Sequence, residues 1–477
     1  MTTIERGGPA ASGDQFLRVE GHGIEPIPAA ERHSRARELG FLWAGAFVNY
    51  ASLLTASLAT SFFGLGVWDG LAATVLGTLT GAVVLGLLSH AGPRTGLPQV
   101  AFSGRVFGAA GARVGAFLTL FLAVGWFAVD TVVAAQAGVQ LFTLAGLGDA
   151  AGKLALPLVL AIAGVSVVVA VYGHATIKVF ETAGATTFAV LSLVLFVLLA
   201  PQLHWTAGPK VSGADHPGAF VLGFMVCFAL VASWYPFASD YSRYLPADTP
   251  GRGLTWWPVA GVTLPMVLLG LFGLLLPTID PALAADPNGG VLAVITRHAP
   301  AFVAIPFLVF VVLGEVWANY LDVYTAGLVT LTLGLRLRRW QTALGCGVLG
   351  ALLAMYAVVI RDFHTAYQQF LLLTYLWAPA WAAIVLLVFF FGGRAADRRE
   401  RRGPALTAWA LGTAVSLAFV NYANLYPGAH APNQALIDGL HGADLSGLVS
   451  AAVAAAAYLG LRRLGERPSA AAVGAGE

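Results

Sequence analysis

Charge is what this sequence has least of. Of its 477 residues, 10% are charged and 58% hydrophobic, whereas soluble domains carry roughly a quarter charged residues. A chain this long with so few charges cannot wet its own surface, so lipid is its solvent. Only two cysteines occur, Cys227 and Cys346, each inside an apolar run, and neither proposes a disulfide or a metal site. The net charge of +2 is too small to suggest a nucleic-acid partner. The first forty residues are polar and hold no apolar core, so no cleavable signal peptide is expected and the first span is expected to act as its own insertion signal. Catalytic motifs are missing too. There is no HExxH, no Gly-rich phosphate loop ending in Lys-Ser/Thr, no DDxxD-type acidic box and no GxSxG. The histidines fall in tails, loops or span ends without a metal-ligand partner at helical spacing. Neither an enzyme nor a bound cofactor is expected.

What the sequence does have is long apolar runs. A bilayer core of roughly 30 Å needs about 20 apolar residues per helix. Runs between charged or Pro/Gly-rich breaks predict an all-α polytopic membrane protein with twelve transmembrane helices. They lie near 40–65, 71–90, 113–144, 154–172, 177–199, 218–238, 255–276, 301–330, 340–360, 366–391, 405–425 and 445–463. The positive-inside rule tests this count. With the N-terminus in the cytoplasm, outer segments hold only Lys153, Lys210, Arg297 and Arg361, which leaves 22 of the 26 basic residues inside. An extra or missing span would scramble that asymmetry. Both termini are therefore expected in the cytoplasm, with the protein in the cell (inner) membrane.

Ionisable groups at membrane depth cost several kcal/mol and usually face a cavity or a partner. Glu181 follows Lys178 by three residues near an inner end, an ion-pair spacing that reads as structural. Asp130 lies mid-span, four residues after Trp126, so the two share a helix face. That pattern suits a flat polar heterocycle, the indole stacking and the acid reading ring N–H groups. It equally suits a lipid-facing tryptophan and an acid paired to a neighbouring helix. Glu315, Asn319 and Asp322 stand at i, i+4 and i+7 on the eighth span. They could join helices by hydrogen bonds or line a substrate and coupling-ion site.

Two spans look interrupted. The sixth runs through Ser233, Trp234, Tyr235 and Pro236, and the first carries Asn49, Tyr50, Ser52, Thr55 and Ser57. Broken spans in corresponding positions of two five-helix halves point to an inverted-repeat transporter. The connectors SDYSRYLP (239–246) and GPRTGLP (92–98) read as cytoplasmic joints, with Asp240 and Arg243 at pairing distance.

Several of these segments resemble one family. GHGIEPIPAAER (21–32), FGLGVWD (63–69), GPRTGLP, VGWFAVD (124–130) and SWYPFASDYSRYLP (233–246), with FLLLTYLWAP (370–379) as a weaker match, are similar to the nucleobase–cation symporter family. That family holds the purine–cytosine permeases and the cytosine, uracil, allantoin and hydantoin transporters. The resemblance implies a LeuT-like fold of 5+5 inverted repeats plus two C-terminal helices. The division would be a tail at 1–39, halves at 40–199 and 218–391, an added pair at 405–463 and a tail at 464–477. It also implies a midplane site: Trp126 stacking on the substrate ring, Asp130 at the position of the family's amide, Ser233 and Trp234 from the sixth span, Asn319 from the eighth. Asn49 and Tyr50 lie near the first break.

Two departures from that pattern matter. Sodium-coupled members place span 8 hydroxyls one turn before the substrate amide, where this chain reads Val312, Leu313, Gly314, Glu315. A hard cation wants several oxygens, so proton coupling through Glu315 or Asp130, with Asp322 nearby, is expected over sodium. An ionised acid at 130 only accepts hydrogen bonds, which favours a donor-rich ligand. The rival reading within transport is a carrier of the same fold for an amino acid, amine or vitamin-type heterocycle. A membrane sensor would carry a soluble signalling domain, and no hydrophilic stretch is long enough for one.

Overall fold

The computed structural model describes residues 24–172, 174–284, 290–359, 363–392, 402–426 and 432–465. The outer parts of both expected tails lie outside the described residues, as do the side chains of Lys178 and Glu181. The described chain is all-helical. The principal helices are α1 Ala36–Phe47, α2 Tyr50–Ser61, α3 Val67–Leu88, α4 Gln99–Phe142, α5 Ala155–Tyr172, α6 His174–Leu199, α7 His216–Ala232 and α8 Ala238–Ser242. They continue as α9 Gly251–Leu275, α10 Gly290–His298, α11 Ala301–Leu333, α12 Arg339–Val359, α13 Phe363–Phe391, α14 Arg402–Ser416 and α15 Ser446–Gly465. Among the described residues nine helices are long and apolar enough to cross a membrane, and a tenth crossing is made if the bent pair α1–α2 counts as one. The expected spans at 405–425 and 445–463 do contain α14 and α15, but neither is among those ten. With 15 residues, α14 is short for a crossing, and α15 draws much of its length from alanine and glycine.

The first break is made by one side chain. Val48 and Asn49 leave helical geometry, and Asn49 Oδ1 accepts the Ser52 N–H at 3.1 Å while Nδ2 donates to the Ala46 carbonyl at 2.9 Å. Asn49 thus caps α2 and ties it back to α1, at a bend of 60°. The sixth span breaks after α7, where Tyr235–Phe237 form a 3-10 turn. Pro236 sits at its start, where a missing N–H costs nothing. One boundary differs from the hydropathy reading. Helix α4 begins at Gln99 rather than near 113, and bends at Gly108, whose φ of 72° only glycine adopts freely. Arg105 and Arg113 hid this inner turn from a search for apolar runs.

Some packing pairs recur along the chain. Helix α3 packs on α7 as α9 packs on α1 and α2, α12 lies on α4 as α5 lies on α11, and α4 with α11 is the most extensive pair. Glycines bring part of this packing to backbone contact. A Cβ on Gly77, Gly86, Gly261 or Gly273 would run into the carbonyl oxygens of Phe224, Thr255, Gly40 and Leu53 respectively. All four approaches join α1, α2, α3, α7 and α9.

Candidate substrate and coupling site

The long contact of α4 with α11 brings the mid-membrane acids together. Asp130, Glu315, Asn319 and Asp322 are all buried. The Asp130 and Glu315 side chains lie within reach of one another, and two carboxyls so placed can bond only if a proton lies between them. Asp322 is within electrostatic reach of both, and its Oδ2 is buried without a partner. None of the three forms an ion pair with a described Lys, Arg or His. The cluster is rich in acceptors and, among the described residues, has no base paired to it.

Beside it opens a cleft with about 560 Å³ of space not filled by atoms, part of it open. Asn49, Tyr50, Trp234 and Glu315 line it, together with Gly45 of α1 and Gly314 of α11. Glu315 therefore stands where the α1–α2 break meets α11. Trp234 is held by Trp43, whose ring lies edge-on at 5.6 Å, and by Phe47 at 6.2 Å and Phe237 at 5.4 Å. The Tyr50 hydroxyl accepts the Leu292 backbone N–H of α10, so this residue joins the cleft to α10.

The other residues named from sequence do not line the cleft. Trp126 stands edge-on to Phe370 at 5.2 Å and to Tyr367 at 6.1 Å, and its Nε1 is buried without a partner. Asn319 Nδ2 is bonded to Thr131 Oγ1 at 3.1 Å and Ser166 Oγ at 3.0 Å, which ties α4, α5 and α11 together, while Oδ1 has no partner. The Ser233 hydroxyl donates to Leu230 of its own helix at 2.7 Å. Sequence reasoning did not single out Tyr367, which lies beside Asp130 and Glu315 and whose hydroxyl is 2.7 Å from that of Thr55. An isolated tyrosine in an apolar span reads as core, and only its partners mark it.

The connectors form a second buried polar group. Asp240 Oδ1 accepts the Gln99 N–H at 2.8 Å at the start of α4, and the Ser239 hydroxyl bonds the Gln99 side chain. Arg243 is fully buried and donates to Tyr244 and Tyr324 at 3.3 and 3.4 Å.

A helical bundle with two broken spans meeting beside buried carboxyls defines a membrane transporter rather than an enzyme. Three comparisons narrow the class. The family model for permeases of cytosine/purines, uracil, thiamine and allantoin matches residues 26–436. A putative purine–cytosine permease of Bacillus subtilis, YxlA, is 28% identical over 388 residues, covering 79% of this chain and 80% of that one. Mhp1, a nucleobase–cation-symport-1 transporter solved closed with bromovinylhydantoin bound, superposes with a TM-score of 0.71 over 93% of this chain and 95% of its own, at 18% identity. Its inward-facing form gives 0.69. The chain belongs to the cytosine/purine permease family, and its fold is that of Mhp1.

Proposed function

We propose that this protein imports a nucleobase or a related flat nitrogen heterocycle by alternating access, driven by symport of a proton rather than sodium. The observation that carries this reading is the Asp130–Glu315 pair, two buried carboxyls within reach of one another and without an ion pair among the described residues, set against the break of the first span. A shared proton there can leave or join as the site opens to either side. In this reading Trp234, Asn49 and Tyr50 face the ring from the cleft, Trp126 on α4 and the unpaired Asn319 Oδ1 on α11 reach it as the site closes, and Ser233 shapes the sixth-span break. Asp322 backs the proton site. Residues 40–199 and 218–391 are the two five-helix halves and 405–463 an added pair. The chain sits in the cell membrane with both termini in the cytoplasm.

The test is uptake of radiolabelled cytosine and adenine into proteoliposomes under imposed gradients. An inward pH gradient should drive accumulation in sodium-free buffer. Uptake that needs a sodium gradient and ignores the pH gradient would overturn proton coupling. A second reading, a vitamin-type heterocycle or amine, is favoured by the acceptor-only character of the acids, since a donor-rich or cationic ring would pair with them. Competition by such compounds against cytosine separates the two.

A further inference from the structure

Helix α13 carries Pro379 in its interior. A proline there gives no N–H to the carbonyl four residues earlier and crowds it with its ring. That carbonyl belongs to Tyr375. It and the next two carbonyls all meet the C-terminal helices. Gly447 of α15 packs against Tyr375, and a Cβ there would be in van der Waals contact with the Tyr375 oxygen at 3.4 Å. Ser450 Oγ, one turn on, donates to the Leu376 carbonyl at 2.8 Å. From α14, Trp409 Nε1 donates to the Trp377 carbonyl at 3.2 Å. Gly412 holds α14 against α15 at this level, since a Cβ on it would lie 2.6 Å from the Ser450 carbonyl oxygen. The outer end is pinned as well: Asp444 accepts the Tyr375 hydroxyl, the Asn421 N–H at 2.9 Å and the Ser446 N–H at 3.0 Å.

These contacts are not generic apolar packing. Two donors and a glycine meet three consecutive carbonyls at the one place where α13 has lost a bond of its own. Between one and three turns earlier on the same helix stand Phe370 and Tyr367, the rings set edge-on to Trp126. A helix weakened by proline can swing about that point, and whatever holds the carbonyls there sets the direction of the segment before it.

We propose that Trp409 and Ser450 are positioning residues for the substrate site. By holding the carbonyls beside Pro379 they fix the direction of the first half of α13, and with it the placement of Tyr367 and Phe370 over Trp126. The added C-terminal pair then acts as a brace on the element that covers the site. The functional weight of this proposal rests on the reading of Trp126 and Asp130 as that site, but the brace itself is testable without substrate.

The experiment uses the full chain in proteoliposomes with Thr55→Cys as reporter, because Thr55 lies directly against the Tyr367 hydroxyl. The native cysteines are both buried, and the parent protein gives their background. Maleimide labelling of the introduced cysteine should be slow. Ser450→Ala should speed labelling about fivefold, the effect of one lost buried hydrogen bond, and Trp409→Phe, which keeps an aromatic ring but loses the N–H together with part of the indole, should speed it at least as much. Ser450→Thr, which keeps a hydroxyl, should restore the slow rate, and this pair carries the test if Trp409→Phe does not fold. Unchanged labelling in folded Trp409→Phe and Ser450→Ala would overturn the proposal and return both residues to packing. Faster labelling with no cytosine or adenine uptake, even by the parent, would leave the brace standing and sink the proposed substrate instead.

Discussion

Thr55 and Tyr367 are joined hydroxyl to hydroxyl at 2.7 Å, linking the second half of the broken first span to α13 beside Trp126. The bond joins an element that bends to one that contains a proline. Tyr367→Phe keeps the ring and removes the bond. Loss of a buried hydrogen bond is worth about 1 kcal/mol, so the KM for uptake should rise about fivefold with surface expression unchanged. An unaltered KM would show that closure does not depend on this contact.

The carboxyl pair makes a separate prediction. Glu315→Gln removes one of the two carboxyls proposed to share a proton and should abolish the response of uptake to an imposed pH gradient, while counterflow exchange of substrate persists. Asp130→Asn introduces a donor where there were only acceptors and should reorder the ranking of cytosine, purines and cationic rings in competition assays. If the gradient response and the ranking both survive, the two acids are structural.

Asn49→Ala tests the first break. The cap it makes on α2 is worth about 1 kcal/mol, so the midpoint of thermal unfolding should fall. Because Asn49 also lines the cleft, substrate-induced stabilisation should shrink as well. Asn49→Asp or Asn49→Ser, which can still cap, should restore stability and not necessarily binding.

Gly273→Ala probes the backbone contact of α9 with α2. The added methyl would meet the Leu53 carbonyl, and overpacking of this kind costs about 1–3 kcal/mol. Gly164→Ala, where nothing stands within 4 Å, should leave the unfolding midpoint unmoved. Equal stability of the two variants would contradict the close approach.

Much of the architecture was readable because lipid imposes long apolar runs, and because interruptions announce themselves as Asn49 and Pro236. The face shared by Trp126 and Asp130 and the stripe of Glu315, Asn319 and Asp322 follow from helical spacing alone. What spacing does not carry is partnership. Nothing in the sequence says that the Asn319 amide is spent on Thr131 and Ser166, or that Asp240 caps α4 at Gln99. Those bonds depend on which helices become neighbours. Tyr367 was passed over for the same reason, since its importance lies in Thr55, more than three hundred positions away. Pro379 did carry a signal. A proline inside a span weakens the turn before it, and what lies against that turn at Tyr375, Leu376 and Trp377 is α14 and α15.

The glycines that bring α1, α2, α3, α7 and α9 to backbone contact have a consequence for how this molecule can vary. Where carbonyl meets Cα there is no side chain to trade for a smaller or larger one, so these helices can be refitted only by moving whole segments. Several seams outside that block are lined by exchangeable rings and methyls, such as Phe127 beneath Gly350 or Trp317 beneath Gly184. Mutational drift, and any attempt to engineer a new cargo, should therefore succeed along the seams and stall in the block.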